Sequence, residues 1–257
     1  DEAQDMSPAQ LILAKMLAGE NGRLCYVGDN AQAIYGFRGA DSDILARAAK
    51  EMQAETLLLN ITYRCPKKIV ELAQRYVPDF VAAAEAPEGE VHEMVLERFM
   101  LEQAGAGDFV LCRANAPLMS VCLKLIANGT RAYMKGRDVG EKLMGILRKI
   151  QGRKAFQDMA DLELRLDRWK DKEDEKIART SRNPEQASSR YEAIEDIRGI
   201  FHALAEGLEE PCEIEGELKR LFQEPGLTNQ DFVCCSTVHK AKGLEADNVF
   251  ILAQGFN

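Results

Sequence analysis

The stretch GDNAQAIYGFRGAD, from Gly28 to Asp41, lies between an apolar run, Leu24–Val27, and an amphipathic helical pattern, Asp43–Met52. A strand, a polar loop and a helix in this order form the repeating unit of α/β folds. Within the loop, Gln32 carries an amide that can both donate and accept hydrogen bonds. Such a side chain suits a group that orients water or senses a terminal phosphate. The loop is therefore predicted to carry ligand-binding residues.

The same loop places two aromatic side chains and an arginine close together. Tyr35 and Phe37 offer flat faces on which nucleic-acid bases can stack, and Arg38 offers a planar cation for a phosphate or a base. Taken singly, either aromatic residue is more commonly a core residue at alternating spacing. No single residue of the loop therefore predicts a nucleic-acid ligand. The prediction rests on the two aromatic residues and the arginine occurring together.

Outward from this loop, short apolar runs alternate with amphipathic stretches, which predicts an α/β fold with a parallel sheet and helices on both faces. The predicted strands are Leu24–Val27, Thr56–Leu59, Phe109–Cys112, Phe232–Ser236 and Val249–Leu252. The predicted helices in this part of the chain are Asp43–Met52, Pro66–Val77 and Pro117–Asn128, the last with Gly129 as its stop signal.

Residues 151–230 break this rhythm, because they contain no convincing strand. Two charged segments there carry apolar stripes at helical spacing, and a polar turn near Asn183 and Pro184 separates them. They are predicted to form an antiparallel helical hairpin inserted into the α/β domain. The charge of this hairpin is interpreted as a solvated helix face rather than a binding tract. The stripes are Leu162, Leu166 and Trp169, then Tyr191, Ile194, Ile197, Phe201 and Leu204.

The composition sets wider bounds. The chain has 257 residues, enough for about two domains, and a net charge of −9, which argues against a generally basic nucleic-acid coat but not against a local basic groove. Seven cysteines, an odd number without a CxxC pair, indicate reduced thiols in the cytosol rather than a disulfide framework or a zinc site. No apolar run is long enough to span a bilayer. We therefore expect a soluble, cytoplasmic protein.

Three further segments carry polar chemistry. DEAQD begins with two adjacent carboxylates, Asp1 and Glu2, which can hold Mg²⁺ and accept a proton from water. LNITYRCPKKIVELA places Arg64 between a strand and a helix, where it can reach a ligand. STVHKAKGLEADNVFIL forms a polar turn that contains His239. Taken alone, DEAQD is better explained by a solvent-facing turn and His239 by a structural role, and Arg64 can equally be a surface arginine paired with a local carboxylate.

Together, and in this order, the four segments resemble the motifs of the UvrD/Rep/PcrA family of superfamily 1 DNA helicases, the branch that translocates 3′ to 5′. DEAQD is similar to the family's Walker B motif and GDNAQAIYGFRGAD to its third motif. NITYRCPKKI is similar to the fourth motif and TVHKAKGLEADNVF to the fifth. The resemblance implies a RecA-like fold of the P-loop NTPase type. It covers most of residues 1–73 and 232–252.

The resemblance also implies a domain organisation. Residues 1–54 would be the C-terminal part of the first motor domain, and residues 55–150 with 231–257 would form the second. Residues 151–230 would be the helical insertion, a reduced form of the accessory domain that relatives carry. That insertion is a possible protein-binding surface.

By resemblance, ATP and Mg²⁺ are the cofactors. Asp1 helps to bind Mg²⁺, Glu2 activates the attacking water and Gln32 senses the γ-phosphate. Tyr63 stacks near the adenine, and Arg64 acts as an arginine finger.

Further roles are implied by the same resemblance. Lys242 lies near the nucleotide and Glu245 reaches its ribose. Single-stranded DNA and duplex junctions are the implied partners. The residues implied in DNA binding are Tyr35, Phe37, Arg38, Thr237 and His239. The departures from the family pattern include Phe37, where many relatives carry tryptophan, Ala33 in place of serine, and Thr62 in place of asparagine.

The sequence contains no GxxxxGK[ST] phosphate-binding loop and no counterpart of the family's sixth motif. We therefore expect the chain to be a fragment of an ATP-dependent DNA helicase that does not hydrolyse ATP efficiently by itself. Two alternatives remain open: a single-stranded DNA-binding module without motor activity, and the motor part of a helicase–nuclease.

Overall fold

The computed structural model describes residues 1–19, 22–34, 43–94, 103–181, 183–223 and 231–253. The chain divides into two compact units, Asp1–Glu93 and Met94–Asn257. The first contains α1 (Pro8–Ala18), α2 (Ile44–Met52), β1 (Ile61–Thr62), α3 (Lys67–Ala73) and β2 (Val81–Ala82), with short 3-10 turns at Ala3–Asp5 and Asn30–Gln32.

Local signals set the bounds of the helices in the first unit. Helix α1 begins with a capping box, in which the side chain of Ser7 accepts from the N–H of Gln10 and the side chain of Gln10 accepts from the N–H of Ser7. Pro66 precedes α3 as its N-cap in an extended conformation rather than lying in its first turn as expected. The small core of this unit consists of Leu11, Ile44 and Ala48.

The second unit is built on a four-stranded parallel sheet with the order β4-β5-β3-β6. Its strands are β3 (Phe109–Cys112), β4 (Ala132–Met134), β5 (Val233–Thr237) and β6 (Val249–Ile251). Its helices are α4 (Asn115–Ala127), α5 (Arg137–Gln151), α6 (Met159–Thr180), α7 (Pro184–Glu206), α8 (Ile214–Leu221) and α9 (Val238–Ala241). All five residues of β5 are buried, as expected for a central strand of a parallel sheet.

Three predicted strands, Phe109–Cys112, Phe232–Ser236 and Val249–Leu252, correspond to β3, β5 and β6 to within one residue at either end. Two predicted strands are wrong. Leu24–Val27 forms no strand, and the hydrogen bond from the N–H of Ala3 to the oxygen of Val27 at 2.9 Å is not extended into a ladder. The strand predicted at Thr56–Leu59 forms instead at Ile61–Thr62, because a strand needs a neighbouring strand as its partner. That partner, β2, pairs with Ile61–Thr62.

The helical hairpin is confirmed. Helices α6 and α7 are separated by a turn in which Asn183 caps α7 by accepting from the N–H of Gln186 at 2.8 Å, and Pro184 occupies the first helical position. The predicted stripe of Leu162, Leu166 and Trp169 is buried. It belongs to the same hydrophobic core as the sheet, so helices α6 and α7 pack with the sheet as one body. The division into motor domains stays a prediction.

The described helices include none with the length and apolar character needed to cross a membrane.

Candidate functional site

A chain of hydrogen bonds joins the first turn of the protein to the loop after Val27, and it passes through Gln4. Nε2 of Gln4 donates to Oε2 of Glu2 at 2.8 Å, and Oε1 of Gln4 accepts from the N–H of Asp29 at 3.1 Å. Oδ2 of Asp29 accepts from Nε2 of Gln32 at 2.8 Å. The structure therefore connects Glu2, the expected activator of water, with Gln32, the expected phosphate sensor.

Gln4 is the centre of this network because it is buried, with 1% of its surface exposed. A buried amide whose oxygen and nitrogen both have partners is held in one orientation. Sequence reasoning singled out neither Gln4 nor Asp29. A signal for Asp29 was present, since an aspartate at the start of a turn caps the N–H groups that follow, and its Oδ1 accepts from the N–H of Ala31 at 2.9 Å.

Gly28 allows the two segments to approach. A Cβ added at this position would lie 2.5 Å from Oε1 of Gln4 and 3.1 Å from the backbone nitrogen of Ala3. Both distances are shorter than ordinary contacts, and the second involves backbone that cannot rotate away. Only glycine fits between the loop and the first turn without moving one of them.

The backbone of Glu2 is in the left-handed region, with φ of 54° and ψ of 36°. Gln53, at the end of α2, is the other non-glycine residue with positive φ in the part of the chain that the structure describes. Such a conformation costs of order 1–3 kcal/mol and persists where surrounding contacts fix it. The hydrogen bond from Gln4 is one of those contacts, so the Glu2 carboxylate is held in place by local geometry.

Asp1 and Glu2 are the residues that could hold a magnesium ion. Both are exposed at the start of the chain, and the N–H of Glu2 donates to Oδ1 of Asp1 at 2.9 Å. Mg²⁺ commonly takes one or two protein carboxylates, with substrate phosphates and water completing its shell. Within the described ranges no group of three or more His, Cys, Asp or Glu side chains could bind a metal by itself. The role of the pair at a nucleotide-bound Mg²⁺ stays a prediction.

Three predicted DNA-binding residues, Tyr35, Phe37 and Arg38, lie outside the described residues. Their roles stay predictions.

Tyr63 and Arg64 follow β1 directly. The hydroxyl oxygen of Thr62 accepts from the N–H groups of Arg64 and Cys65, both at 3.3 Å, which shapes the turn before α3. The Tyr63 side chain is 85% exposed, so it is no core residue. The contacts assigned to Tyr63 and Arg64 remain predictions.

Thr237 and His239 lie at one edge of the sheet in the second unit. Thr237 is the last residue of β5 and pairs with Cys112, the last residue of β3. Since all four strands are parallel, their carboxyl ends share this edge, which is where ligands bind in open α/β sheets. Thr237 is 8% exposed and His239, in α9, is half-buried.

An ion pair between Lys240 and Asp138 crosses the same edge. Nζ of Lys240, in α9, contacts Oδ1 of Asp138, in the first turn of α5. The hydrogen bond from Lys240 holds the pKa of the Asp138 carboxyl below its usual range, and the lysine charge adds to this effect. Gly136, with φ of 126°, lies beneath the lysine side chain, and a Cβ there would collide with it. The loops after β4 and β5 are thereby held together.

Lys242 and Glu245 follow α9. Lys242 is half-buried at the end of the helix, and Gly243, with φ of 82°, allows the N–H of Leu244 to donate to the oxygen of Ala241 at 2.9 Å. Glu245 is exposed. Their predicted contacts with the nucleotide are not tested by this geometry.

A third set of polar contacts, around Asp196, lies at the same edge of the sheet, and the sequence did not predict it. After β3, the N–H groups of Asn115 and Ala116 donate to the carboxylate of Asp196, in α7, at 3.1 and 2.7 Å. Nδ2 of Asn115 donates to the same carboxylate at 3.0 Å, and Arg113 lies 3.7 Å from Glu192. A polar Arg-Ala-Asn sequence directly after a buried strand was the available signal.

Comparisons with known proteins agree with the motifs. The family described as "UvrD/REP helicase N-terminal domain" matches residues 1–53. The family described as "UvrD-like helicase C-terminal domain" matches residues 79–255, which is more than half of the chain.

Individual relatives match over a shorter stretch. The ATP-dependent DNA helicase PcrA of Staphylococcus epidermidis strain RP62A is 42% identical over 78 residues, which is 30% of this chain and 11% of the relative. PcrA of Staphylococcus aureus strain Mu50 shows the same identity and coverage. The aligned stretch is thus a small part of the relatives' length. Because the family of the C-terminal domain matches more than half of the chain, the chain belongs to the UvrD-like helicase family.

Proposed function

We propose that this chain is part of an ATP-dependent DNA helicase that moves 3′ to 5′ along single-stranded DNA and uses ATP with Mg²⁺. The observation that carries the proposal is the hydrogen-bonded connection from Glu2 through Gln4 and Asp29 to Gln32. A motor must link the chemistry of its nucleotide to the contacts with its track. The buried amide of Gln4 joins the water-activating Glu2 to the segment that contains Gln32. That segment also carries the residues proposed to contact the strand.

The steps at the nucleotide follow from these side chains. Glu2 accepts a proton from the attacking water, and its hydrogen bond with Gln4 keeps the carboxylate oriented. Asp1 would help to hold Mg²⁺, which would supply charge neutralisation at the phosphates. Gln32 contacts the terminal phosphate while it is bound. When that phosphate leaves, the side chain of Gln32 forms its hydrogen bond with Asp29 again.

Strand contacts follow three to six residues further along the same loop. Tyr35 and Phe37 stack on bases, and Arg38 pairs with a phosphate. Because Gln32 and these residues belong to one short loop, a change at the phosphate is transmitted to the strand through few bonds. Thr237 and His239 contact the strand from the edge of the parallel sheet.

The remaining assignments complete the nucleotide site. Tyr63 stacks near the base, Arg64 stabilises charge on the transferred phosphoryl group, Lys242 contacts the nucleotide and Glu245 binds the ribose. Duplex junctions are proposed as the substrate, and the helical segment 151–230 as a surface for a protein partner. A cytoplasmic location suits action on DNA.

The experiment that tests the coupling replaces Gln4 in the intact protein. Gln4→Leu preserves volume and every ionisable group but breaks both hydrogen bonds. We expect DNA-stimulated hydrolysis to fall by about 10-fold or more, as for the loss of an oriented general base, with affinity for unstructured oligonucleotides retained. Glu2→Gln should abolish hydrolysis while nucleotide binding persists.

The outcomes separate the function from the coupling. An intact protein without DNA-stimulated hydrolysis would contradict the helicase proposal. A folded Gln4→Leu variant that DNA stimulates like the wild type would contradict the role of Gln4 alone.

The strand contact is tested separately by Phe37→Ala, measured by fluorescence anisotropy on oligonucleotides of several sequences. Loss of a stacking platform costs about 1–3 kcal/mol per base without marked sequence preference. Phe37→Trp should preserve binding and Phe37→Leu should not. Unchanged binding by Phe37→Ala would make Phe37 a core residue.

A further inference from the structure

A small cavity lies between the end of α5 and the middle of α6, and its lining includes none of the residues assigned above to the nucleotide or the strand. Its volume is about 180 Å³, below the roughly 300–1,000 Å³ of pockets that take drug-sized ligands. It therefore suits a small group or one repeating unit of a larger ligand. The lining residues are Lys149, Ile150, Arg165, Arg168, Trp169 and Lys172.

The lining has four basic side chains in a chain whose net charge is −9. The four residues from α6 lie on one face because they recur at intervals of three and four. Lys149 and Ile150 close the cavity from the last turn of α5. The sequence pattern thus gathers positive charge around a concave surface.

Two of the four cations are already engaged. Arg165 donates to both oxygens of Asp161, at 2.9 and 2.7 Å, and also to backbone carbonyls of the segment between α5 and α6. Lys149 donates to Oε1 of Glu173 at 2.7 Å. These two side chains hold the wall of the cavity in place.

The other two, Arg168 and Lys172, form no ion pair with any residue that the structure describes. They lie four residues apart on the exposed side of α6, a spacing at which like charges repel and destabilise a helix. Asp161 is engaged by Arg165, and Glu173 is engaged by Lys149. An anion between Arg168 and Lys172 would relieve this repulsion.

We propose that this cavity binds a phosphate group. The planar guanidinium of Arg168 can donate two parallel hydrogen bonds to phosphate oxygens, and Lys172 adds a compact charge. Ile150 and Trp169 give an apolar wall that excludes water from one side. The phosphate can come from the backbone of a nucleic acid or from a free phosphate or polyphosphate. The site shares no residue with the proposed nucleotide and strand contacts, and its test does not depend on hydrolysis.

The chain contains a single tryptophan, and it lines this cavity, so its fluorescence reports on this site. The 257-residue chain would be titrated with sodium phosphate, tripolyphosphate and a dT oligonucleotide at constant ionic strength set with chloride, and the oligonucleotide titration would be repeated at several chloride concentrations. We expect a saturable change in Trp169 emission. Arg168→Ala with Lys172→Ala should weaken the binding by about 10-fold or more and, for the oligonucleotide, reduce the salt slope by about 1.4, from two contacts at about 0.7 each.

The matched control is Lys176→Ala with Arg179→Ala, which removes the same charge from the same helix but outside the cavity. It should leave the titration unchanged. The ligands are compared by the concentration of phosphate groups that saturates the Trp169 signal. A lower value for the oligonucleotide than for the small anions would identify a nucleic-acid backbone as the ligand. An equal or lower value for the small anions would identify a free phosphate or polyphosphate. Absence of any saturable change, or equal loss in both double variants, would overturn the site.

Discussion

At the scale of single residues, the space around Gly28 gives the sharpest prediction. Gly28→Ala places a methyl group 2.5 Å from Oε1 of Gln4 and should displace the loop from the first turn. Overpacking of this kind costs about 1–3 kcal/mol. Hydrogen exchange at the N–H groups of Ala3 and Asp29, which both cross this contact, should accelerate in the variant.

The control for this substitution is Gly145→Ala. Gly145 lies inside α5 with nothing within 4 Å of an added Cβ. Alanine there should stabilise the helix by about 0.5–1 kcal/mol. Unchanged exchange at Ala3 and Asp29 in Gly28→Ala would mean that the loop moves aside at no cost.

The Lys240–Asp138 ion pair predicts a pH dependence. Lys240 lowers the pKa of Asp138 in the folded protein, so the ionised carboxylate stabilises the fold above its ordinary pKa of 3.8. This contribution is lost as the pH falls through the lower, folded value. Because the Asp138 side chain is 77% exposed, its contribution should not exceed about 1 kcal/mol.

The measurement is urea unfolding of Asp138→Asn and wild type at pH 7 and near pH 2. The small difference at pH 7 should vanish at the lower pH. Lys240→Met should show the same loss at pH 7 and add nothing to Asp138→Asn. A difference that persists at pH 2 would assign the effect to packing rather than charge.

Residue types made Glu2 and Gln32 possible candidates, since a carboxylate and an amide suit chemistry at a phosphate, and the resemblance of their motifs to the helicase family gave them roles. They did not identify Gln4, because its role depends on being 1% exposed between two segments. A glutamine that is buried and one that is solvated look the same in a sequence. The left-handed backbone of Glu2 was equally invisible, since it arises from contacts rather than from the side chain.

At the scale of elements, the packing of α4 against α7 depends on Gly199. A Cβ at this position would lie 2.8 Å from Cβ of Ala116. Gly199→Ala should therefore separate the helices and destabilise the second unit by about 1–3 kcal/mol. It should also loosen the hydrogen bonds from Asn115 and Ala116 to Asp196, which lies one turn from Gly199.

The prediction is tested by a swap. Ala116→Gly combined with Gly199→Ala returns the missing space and should recover most of the lost free energy of unfolding, measured by urea denaturation. Gly216→Ala, in α8 with nothing within 4 Å of the added atom, is the control that should not destabilise. A double variant no more stable than Gly199→Ala alone would contradict close packing as the cause.

The elements that the sequence predicted correctly are those with a strong local signal. Phe109–Cys112 is a continuous apolar run and β5 begins with one, Val233–Cys235, as is typical of buried parallel strands. Leu24–Val27 has the same composition but lacks a ladder in the structure, because pairing depends on a distant segment. Strands of two residues, such as Val81–Ala82, have too few side chains to show a period.

At the scale of the whole molecule, charge determines how a DNA strand can bind. With a net charge of −9, the protein repels a polyanion at long range, so affinity must come from local cations and from stacking. Phe37 and Tyr35 supply stacking in the proposed strand site, whereas Arg168 and Lys172 supply local charge in the proposed phosphate site. The strand site has one cation, Arg38, and the phosphate site has two, so binding at the strand site should depend less steeply on salt. Titrations at several salt concentrations would separate the two sites.

The chain as a whole is predicted to hydrolyse ATP negligibly by itself, with or without DNA. Phosphoryl transfer depends almost entirely on positioning the phosphates and stabilising their charge, and the 257 residues contain no GxxxxGK[ST] loop to do so. Asp1, Glu2 and Gln32 can orient water and a metal ion, but they do not hold the phosphates in line. We therefore expect turnover well below about 1 s⁻¹, the lower range of typical enzymes.

The measurement is multiple-turnover phosphate release with and without an unstructured oligonucleotide. A rate of about 1 s⁻¹ or more that Glu2→Gln abolishes would show that these residues suffice, and it would place the phosphate-binding function in a segment other than a P-loop.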